Sequence, residues 1–263
     1  MKAVLVSGGV APGRIVDLSH DLPAHGVAEA AFLLREMARG FPAATVHVAV
    51  VDPGVGGPRR SVAVATRAGP ILVGPDNGVL VPLAEELGSL GAHRIDPARV
   101  RFRKRVGTTF DGRDLFAPAA ALLAGGMDPA GLGPRVPLTR FALPVPRRAG
   151  RRATGEVLHV DRFGNLITNI PTRWVGGSSR RISVRLGGAR RVELPWVRSY
   201  EALGRGTLGV LGSSFGLVEL AVAEGRAAER LRANVGMPVE LDVGRTSAST
   251  SANAKSARPR KRP

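Results

Sequence analysis

The 263 residues contain no cysteine. That absence excludes a disulfide framework, a thiolate nucleophile, a cysteine-based zinc site and iron–sulfur chemistry together. Aromatic residues make up only 4%, with a single tyrosine, so a stripe of stacked aromatics for single-stranded nucleic acid has little to build on. No apolar run reaches the length of a membrane span. The opening Met1-Lys2-Ala3-Val4-Leu5-Val6 is cut short by Ser7-Gly8-Gly9, too early for a signal-peptide core as well. The chain is therefore expected to be cytoplasmic and to make no membrane contact. Lysine is confined to positions 2, 104, 255 and 261, and arginine carries the rest of the positive charge behind a formal net +17. That charge falls in short clusters at residues 101–105, 147–152 and 190–191 and in the tail, against an Ala-, Gly- and Pro-rich background. A solvated basic surface with a basic tail accounts for it better than a dedicated nucleic-acid face. The histidines at 20, 25, 47, 93 and 159 lack metal-ligand spacing, so no metal site is expected.

What is present is enough apolar residue, 44%, to bury one large core or two modest ones. Residues 1–143 read as an α/β domain, in which short apolar runs alternate with helical stretches. Strands are expected at 15–18, 45–51, 61–66 and 71–73, and helices at 27–40, 81–87 and 115–124, with Gly40 as a C-cap. Run 45–51 is β-branched and uncharged, which suits a buried strand. Residues 144–152, rich in Pro and Arg, read as a linker. From 153 to 244 short strand-like runs follow, at 155–160, 166–170, 181–186, 191–194, 208–211 and 238–243. They predict a smaller, mostly antiparallel β domain with one helix over 218–231. Residues 245–263 cannot bury a core and are expected to be a disordered basic tail.

Four segments could carry chemistry. Asp52 and Arg59 flank the turn Pro53-Gly54-Val55-Gly56-Gly57-Pro58 at the carboxyl end of a buried strand, where open α/β sheets bind ligands. An Asp before Pro-Gly is equally an ordinary turn residue, as is the whole of Gly74-Pro75-Asp76-Asn77-Gly78. Asp161-Arg162-Phe163-Gly164-Asn165 sets an acid, an aromatic and an amide around a glycine between two strands. That combination suits a purine, and it also suits a hairpin with Phe163 in the core. Gly212-Ser213-Ser214 fits a helix N-cap, or less readily an anion-binding nest.

Taken in order, five motifs resemble one family. They are Asp17-Leu18-Ser19-His20, Val50-Val51-Asp52-Pro53-Gly54-Val55-Gly56, Gly74-Pro75-Asp76-Asn77-Gly78, Phe110-Asp111-Gly112-Arg113-Asp114-Leu115-Phe116-Ala117-Pro118, and Asp161-Arg162-Phe163-Gly164-Asn165-Leu166-Ile167-Thr168-Asn169-Ile170. The family is the S-adenosylmethionine (SAM) hydroxide adenosyltransferases, or SAM hydrolases, relatives of the SAM-dependent fluorinase and chlorinase. The resemblance runs from Met1 to about Val243. It implies a Rossmann-like, mostly parallel sheet domain followed by a smaller antiparallel β domain, assembled as a homotrimer with sites between subunits. It implies no cofactor, SAM being the substrate.

By the same resemblance Asp52 and Arg59 match two members of a catalytic Asp-Arg-His set, and Phe163 and Tyr200 match aromatics that sandwich adenine. Asn165 matches an amide that reads the adenine edge; Asp161, Ser213 and Ser214 match positions around the methionine amino and carboxylate groups. Water is a poor nucleophile at neutral pH, with a pKa near ~15.7, and a positive field from Arg59 with an acceptor at Asp52 would orient it and stabilise hydroxide character. The halogenases carry uncharged residues at the positions of this Asp and Arg. Two like charges about 4 Å apart at an effective dielectric near ~20 repel by roughly 4 kcal/mol, so an ionised Asp52 is expected to reject halide.

The chain departs from the family at two places. Asp111 stands where the Phe-His-Gly-Arg-Asp motif has its histidine, so a second carboxylate is expected near Asp52. One pKa of the pair should then rise, with the two acids sharing a proton or Asp111 acting as general base; the alternative is a protein that binds SAM or adenosine without turnover. The start, Met1-Lys2-Ala3-Val4, is similar to a segment that in the family lies downstream of the first strand and of a ribose-binding Asp. The first strand is therefore expected to be missing through a start assigned too far downstream, with weak or absent turnover as the result.

Overall fold

The computed structural model describes residues 1–100, 107, 109–175 and 181–242. The basic cluster at 101–105 and the tail at 245–263 lie outside the described residues. The chain divides into two compact units, Met1–Pro144 and a second that begins at Val145.

In the first unit the elements are α1 (Lys2–Ser7), α2 (Val27–Met37), β1 (Val46–Val48), β2 (Ser61–Thr66), β3 (Ile71–Pro75), α3 (Val81–Glu86), β4 (Ser89–Arg94), α4 (Ala117–Ala124) and β5 (Arg135–Val136). The strands form one sheet in the order β1-β3-β2-β4-β5. Along β2 the side chains alternate between two cores. Val62 and Val64 pack with Ala30 and Leu34 of α2 and Leu83 and Ala84 of α3, whereas Ala63 joins Phe116 and Ala119, Ala120 and Leu123 of α4. A strand buried on both faces has no polar side to present, which is why Ser61-Val62-Ala63-Val64-Ala65-Thr66 is almost wholly apolar. The result is a helix–sheet–helix sandwich.

This sheet differs from the mostly parallel one expected: β1 and β3 are parallel, but β2/β3, β2/β4 and β4/β5 are antiparallel. The short turn 67–70 between β2 and β3 makes the difference, because a tight turn reverses the chain and a parallel pair needs a longer crossover. Residues 15–18 form no strand, and β1 is shorter than the apolar run 45–51. Helix α2 is capped by Ala38 rather than Gly40. The π-helical turn Gly112–Phe116 leads into α4, and β4 and β5 were not expected.

The second unit holds β6 (Arg147–Ala149), β7 (Arg152–Val160), β8 (Leu166–Pro171), β9 (Arg181–Leu186), β10 (Val192–Pro195), β11 (Leu208–Gly212), β12 (Leu217–Val222), α5 (Ala227–Leu231) and β13 (Pro238–Asp242). All its strand pairs are antiparallel, in the order β10-β9-β13-β7-β8-β12-β11, with β6 on β7. A bridge between Trp196 and Val210 brings the two ends of that order together, so the sheet closes nearly into a barrel around Val157, Leu166, Ile170, Ile182, Val210, Leu220 and Leu241. Two expectations fail here. Residues 218–231 are not one helix but β12 followed by α5, and Gly212-Ser213-Ser214 is the turn of the β11/β12 hairpin, not a helix cap. Arg147–Ala149, inside the stretch read as a linker, pairs as a strand with β7. No helix among the described residues is long and apolar enough to cross a membrane.

Candidate active site

The parallel β1/β3 pair sends two chain segments out at the same rim of the first sheet, and the antiparallel β2 starts there. Asp52 follows β1, Arg59 and Arg60 precede β2, and Asp76 and Asn77 follow β3. Hydrogen bonds fix this rim. Asn77 Nδ2 donates to the Val51 carbonyl at 2.8 Å, and the Asp76 N–H to the Arg60 carbonyl at 2.9 Å. The Asp76 carboxylate accepts from Arg60 Nε at 2.8 Å and from the Thr139 N–H at 2.8 Å, while Thr139 Oγ1 donates to the Asp76 carbonyl at 3.0 Å. Gly78 has φ +108° and a Cβ there would stand 2.4 Å from the Phe141 ring, so no other residue type fits.

On this rim Arg59 gathers two carboxylates. Its Nε lies 3.0 and 2.9 Å from the two oxygens of Asp52, and its Nη2 lies 2.5 Å from Asp52 Oδ2 and 2.5 Å from Asp111 Oδ2. Nη1 donates to Ser61 Oγ at 2.8 Å, and the guanidinium stands 5.5 Å from the centre of the Phe116 ring. The π-helical turn delivers both Asp111 and Phe116, in keeping with the frequent use of such turns at functional sites. All three charged side chains are shielded, at 13% exposure for Arg59 and 5% for each carboxylate. Burial works against the Arg59 cation, yet the hydrogen bonds and charges of Asp52 and Asp111 outweigh it and hold the guanidinium above its ordinary range. A fixed cation with its donors spread over two acids is suited to hold a polar reactant and to stabilise negative charge that develops on it.

The second unit has a separate polar cluster. Asp161 accepts from the N–H groups of Phe163 and Asn165, both at 2.9 Å, and from Asn165 Nδ2 at 3.0 Å. The turn is closed by Gly164 at φ +80°, where a Cβ would meet the Arg226 side chain at 2.8 Å. It holds Asn165 buried and leaves Phe163 exposed at 58%, stacked under the Arg162 guanidinium at 4.8 Å. Phe163 is therefore not a core residue. Tyr200, half exposed, donates its hydroxyl to Glu219 Oε1 at 2.5 Å. Asp161 belongs to the same neighbourhood, since its charge acts on both Tyr200 and Glu219. Ser213 Oγ accepts from the N–H groups of Phe215 and Leu217 at 3.3 and 3.4 Å, which ties it into its own turn, and Ser214 is exposed at the tip. Asp17, from the first motif, pairs with Lys2 and with His20 at 3.2 Å. Among the described residues no group of three or more His, Asp or Glu is arranged to hold a metal ion.

Sequence reasoning singled out the turn that holds Asp76 but missed its partners Arg60 and Thr139, and it missed Glu219. A lone acid inside Leu217-Val218-Glu219-Leu220-Ala221-Val222 is a signal for the last, which a helical reading of that run hides. Nothing in the sequence marks Thr139.

Models of the SAM hydroxide adenosyltransferase N-terminal and C-terminal domains match residues 1–133 and 155–240. The chain belongs to the SAM hydroxide adenosyltransferase family. A relative named (R)-S-adenosyl-L-methionine hydrolase from Thermus thermophilus is 43% identical over 250 residues, covering 92% of each chain. A fluorinase from Actinoplanes is more distant, 28% identical over 78% of each. Among solved structures, an uncharacterised conserved protein from Thermotoga maritima superposes with a TM-score of 0.81 at 32% identity, covering 91% of this chain and 92% of that one. Within this adenosyltransferase family the chain thus stands nearer to that hydrolase than to that fluorinase.

Proposed function

We propose that this chain hydrolyses SAM to adenosine and L-methionine. The observation that carries the reading is the buried Asp52–Arg59–Asp111 set in a chain 43% identical to a SAM hydrolase along nearly its whole length. Water attacks C5′ as the C5′–S bond breaks. The sulfonium leaves as the neutral thioether of methionine with the bonding pair, and the water gives up one proton. No acid is needed on the leaving-group side. Arg59 supplies the positive field for the oxygen nucleophile, while Asp52 and Asp111 accept hydrogen bonds that orient it and are the nearest acceptors for its proton. Two formally negative acids at this point disfavour a halide nucleophile, which the same geometry would otherwise attract to Arg59.

In the second unit we assign Phe163 and Tyr200 as walls for adenine, Asn165 as the reader of its edge, and Asp161, Ser213 and Ser214 as the surroundings of the methionine end. The exposure of both aromatics supports the first assignment. The parallel β1/β3 pair, with Asp52 at its carboxyl end, supports a Rossmann-like use of the first sheet. The protein is read as a cytoplasmic homotrimer that needs no cofactor. Exposed Val50, Val55 and Phe110 around the first cluster are surfaces that such an assembly would cover.

Incubating the purified protein with SAM and separating the products tests the reading. Adenosine and methionine in equal amounts are expected, at high chloride as well as without it. 5′-Chloro-5′-deoxyadenosine as the main product in chloride would overturn it. A second reading, binding of SAM or adenosine without turnover, is favoured by Asp111 standing in the place of the family histidine. An Asp111→His variant with turnover far above the parent would support that reading.

A further inference from the structure

Glu219 has surroundings that the hydrolysis itself does not require. It is 2% exposed on β12, with Leu211 of β11 and Ile167 of β8 directly opposite, and among the described residues no cation pairs with it. Side chains alternate along a strand, so Glu219, Leu211 and Ile167 share the face turned away from the barrel core, where Val218, Leu220 and Val210 point. The segment between β10 and β11 covers the face: Leu203 packs on Leu211 and Ala221, and Tyr200, three residues earlier, brings its hydroxyl to the Glu219 carboxylate at 2.5 Å.

We infer that Glu219 is a positioning residue that tethers Tyr200 in the orientation needed to stack on the purine of the substrate. The inference rests on the assignment of Tyr200 as an adenine wall. Tyr200 sits on a short 3-10 turn, Tyr200–Ala202, with half its surface in solvent, so packing alone leaves its ring free to change rotamer. Among the described residues its side chain makes one hydrogen bond, at its far end, and that is a charge-assisted type of contact. Burial first, then the Glu219 contact and the charge of Asp161, push the Tyr200 hydroxyl well above its ordinary pKa, so it remains a donor throughout the neutral range. Losing the tether means that binding must order the ring itself. The cost of fixing one such side chain corresponds to roughly a three- to tenfold loss of affinity.

The test measures SAM hydrolysis and, independently, adenosine binding by calorimetry, on the full chain. Glu219→Leu and Tyr200→Phe are each expected to weaken adenosine binding and raise KM by roughly three- to tenfold, with kcat changed by less than about twofold. Because both remove one contact, the double variant is expected to lose no more than either single one. Glu219→Gln keeps an acceptor and should recover most of the loss. Multiplying effects in the double variant, or a fall in kcat equal to the rise in KM, overturns the inference. If Glu219→Leu does not fold, Tyr200→Phe decides: parental adenosine affinity means the tether has no role. A parent that binds adenosine without hydrolysing SAM refutes the hydrolase reading while calorimetry still reads the tether. A parent that hydrolyses SAM but binds no adenosine overturns the tether and leaves the hydrolase reading standing.

Discussion

Arg59 carries the first cluster because Asp52 and Asp111 both meet its one planar fork. Removing a partner from a shielded ion cluster leaves the rest uncompensated, at a typical cost of roughly 3–5 kcal/mol. Arg59→Met is therefore expected to lower the melting temperature by on the order of 10 °C, read by circular dichroism. Arg59→Lys keeps the charge but cannot reach Asp52, Asp111 and Ser61 together. Its turnover should fall by roughly a hundredfold or more, with a much smaller loss of stability. Parental activity in the lysine variant would show that the fork itself does not matter.

Glu219 supplies a stability prediction at the same scale. Its pKa is raised in the folded protein, by burial first and by Asp161 after it, against the opposing pull of the Tyr200 hydrogen bond. A folded pKa above the unfolded one means that the unfolded chain releases this proton first as pH rises. The contribution is fully present below the unfolded value, near 4.5, and declines until the folded pKa is passed. Glu219→Gln does not titrate, so its melting temperature relative to the parent should climb between pH 4 and pH 7. A difference independent of pH would mean that the carboxylate is not destabilised by its site.

Among the elements, the turn after β3 has the largest indirect role. Asp76 ties together the residue before β2 and the segment at Thr139, and Asn77 holds the carbonyl beside Asp52. Asp76→Ala is expected to lose roughly 2–4 kcal/mol, and to lower turnover although the residue touches none of the three clustered side chains. Unchanged activity would mean that the rim is held without it. These elements were unequally legible in the sequence. Runs 61–66 and 181–186 match their strands because β-branched alternation and flanking turns agree there. The run after Leu217 reads as a helix because its apolar residues fit either period, and only pairing with β8 and β11 decides. Strand β4 carries glycine and exposed ends, so no local pattern announces it. In the site, the Gly-Pro turn made the approach of Asp52 to Arg59 legible. The arrival of Asp111 depends on a tertiary approach across more than fifty residues, which the resemblance implied and spacing could not.

At the scale of the whole molecule, each unit has its own core, and the second is nearly closed on itself. Much of the net charge of +17 is arginine outside the two clusters, and the segment 245–263 adds more without apolar residues enough for a packed surface. Deleting 245–263 is therefore expected to leave turnover within about twofold of the full chain. A large loss would show that the segment belongs to the catalytic fold.

The near-closure of the barrel has a kinetic consequence. Strand β12 pairs with β11 along an unbroken ladder and with β8 at several positions around one register shift, whereas among the described residues β10 and β11 are joined by one isolated bridge, Trp196 to Val210. A ring opens where it is sewn by the fewest stitches. Amide protons along β10 and at Val197 should thus exchange with deuterium well before those of β8 and β12, and Trp196 fluorescence should report the opening before the rest of the ring comes apart.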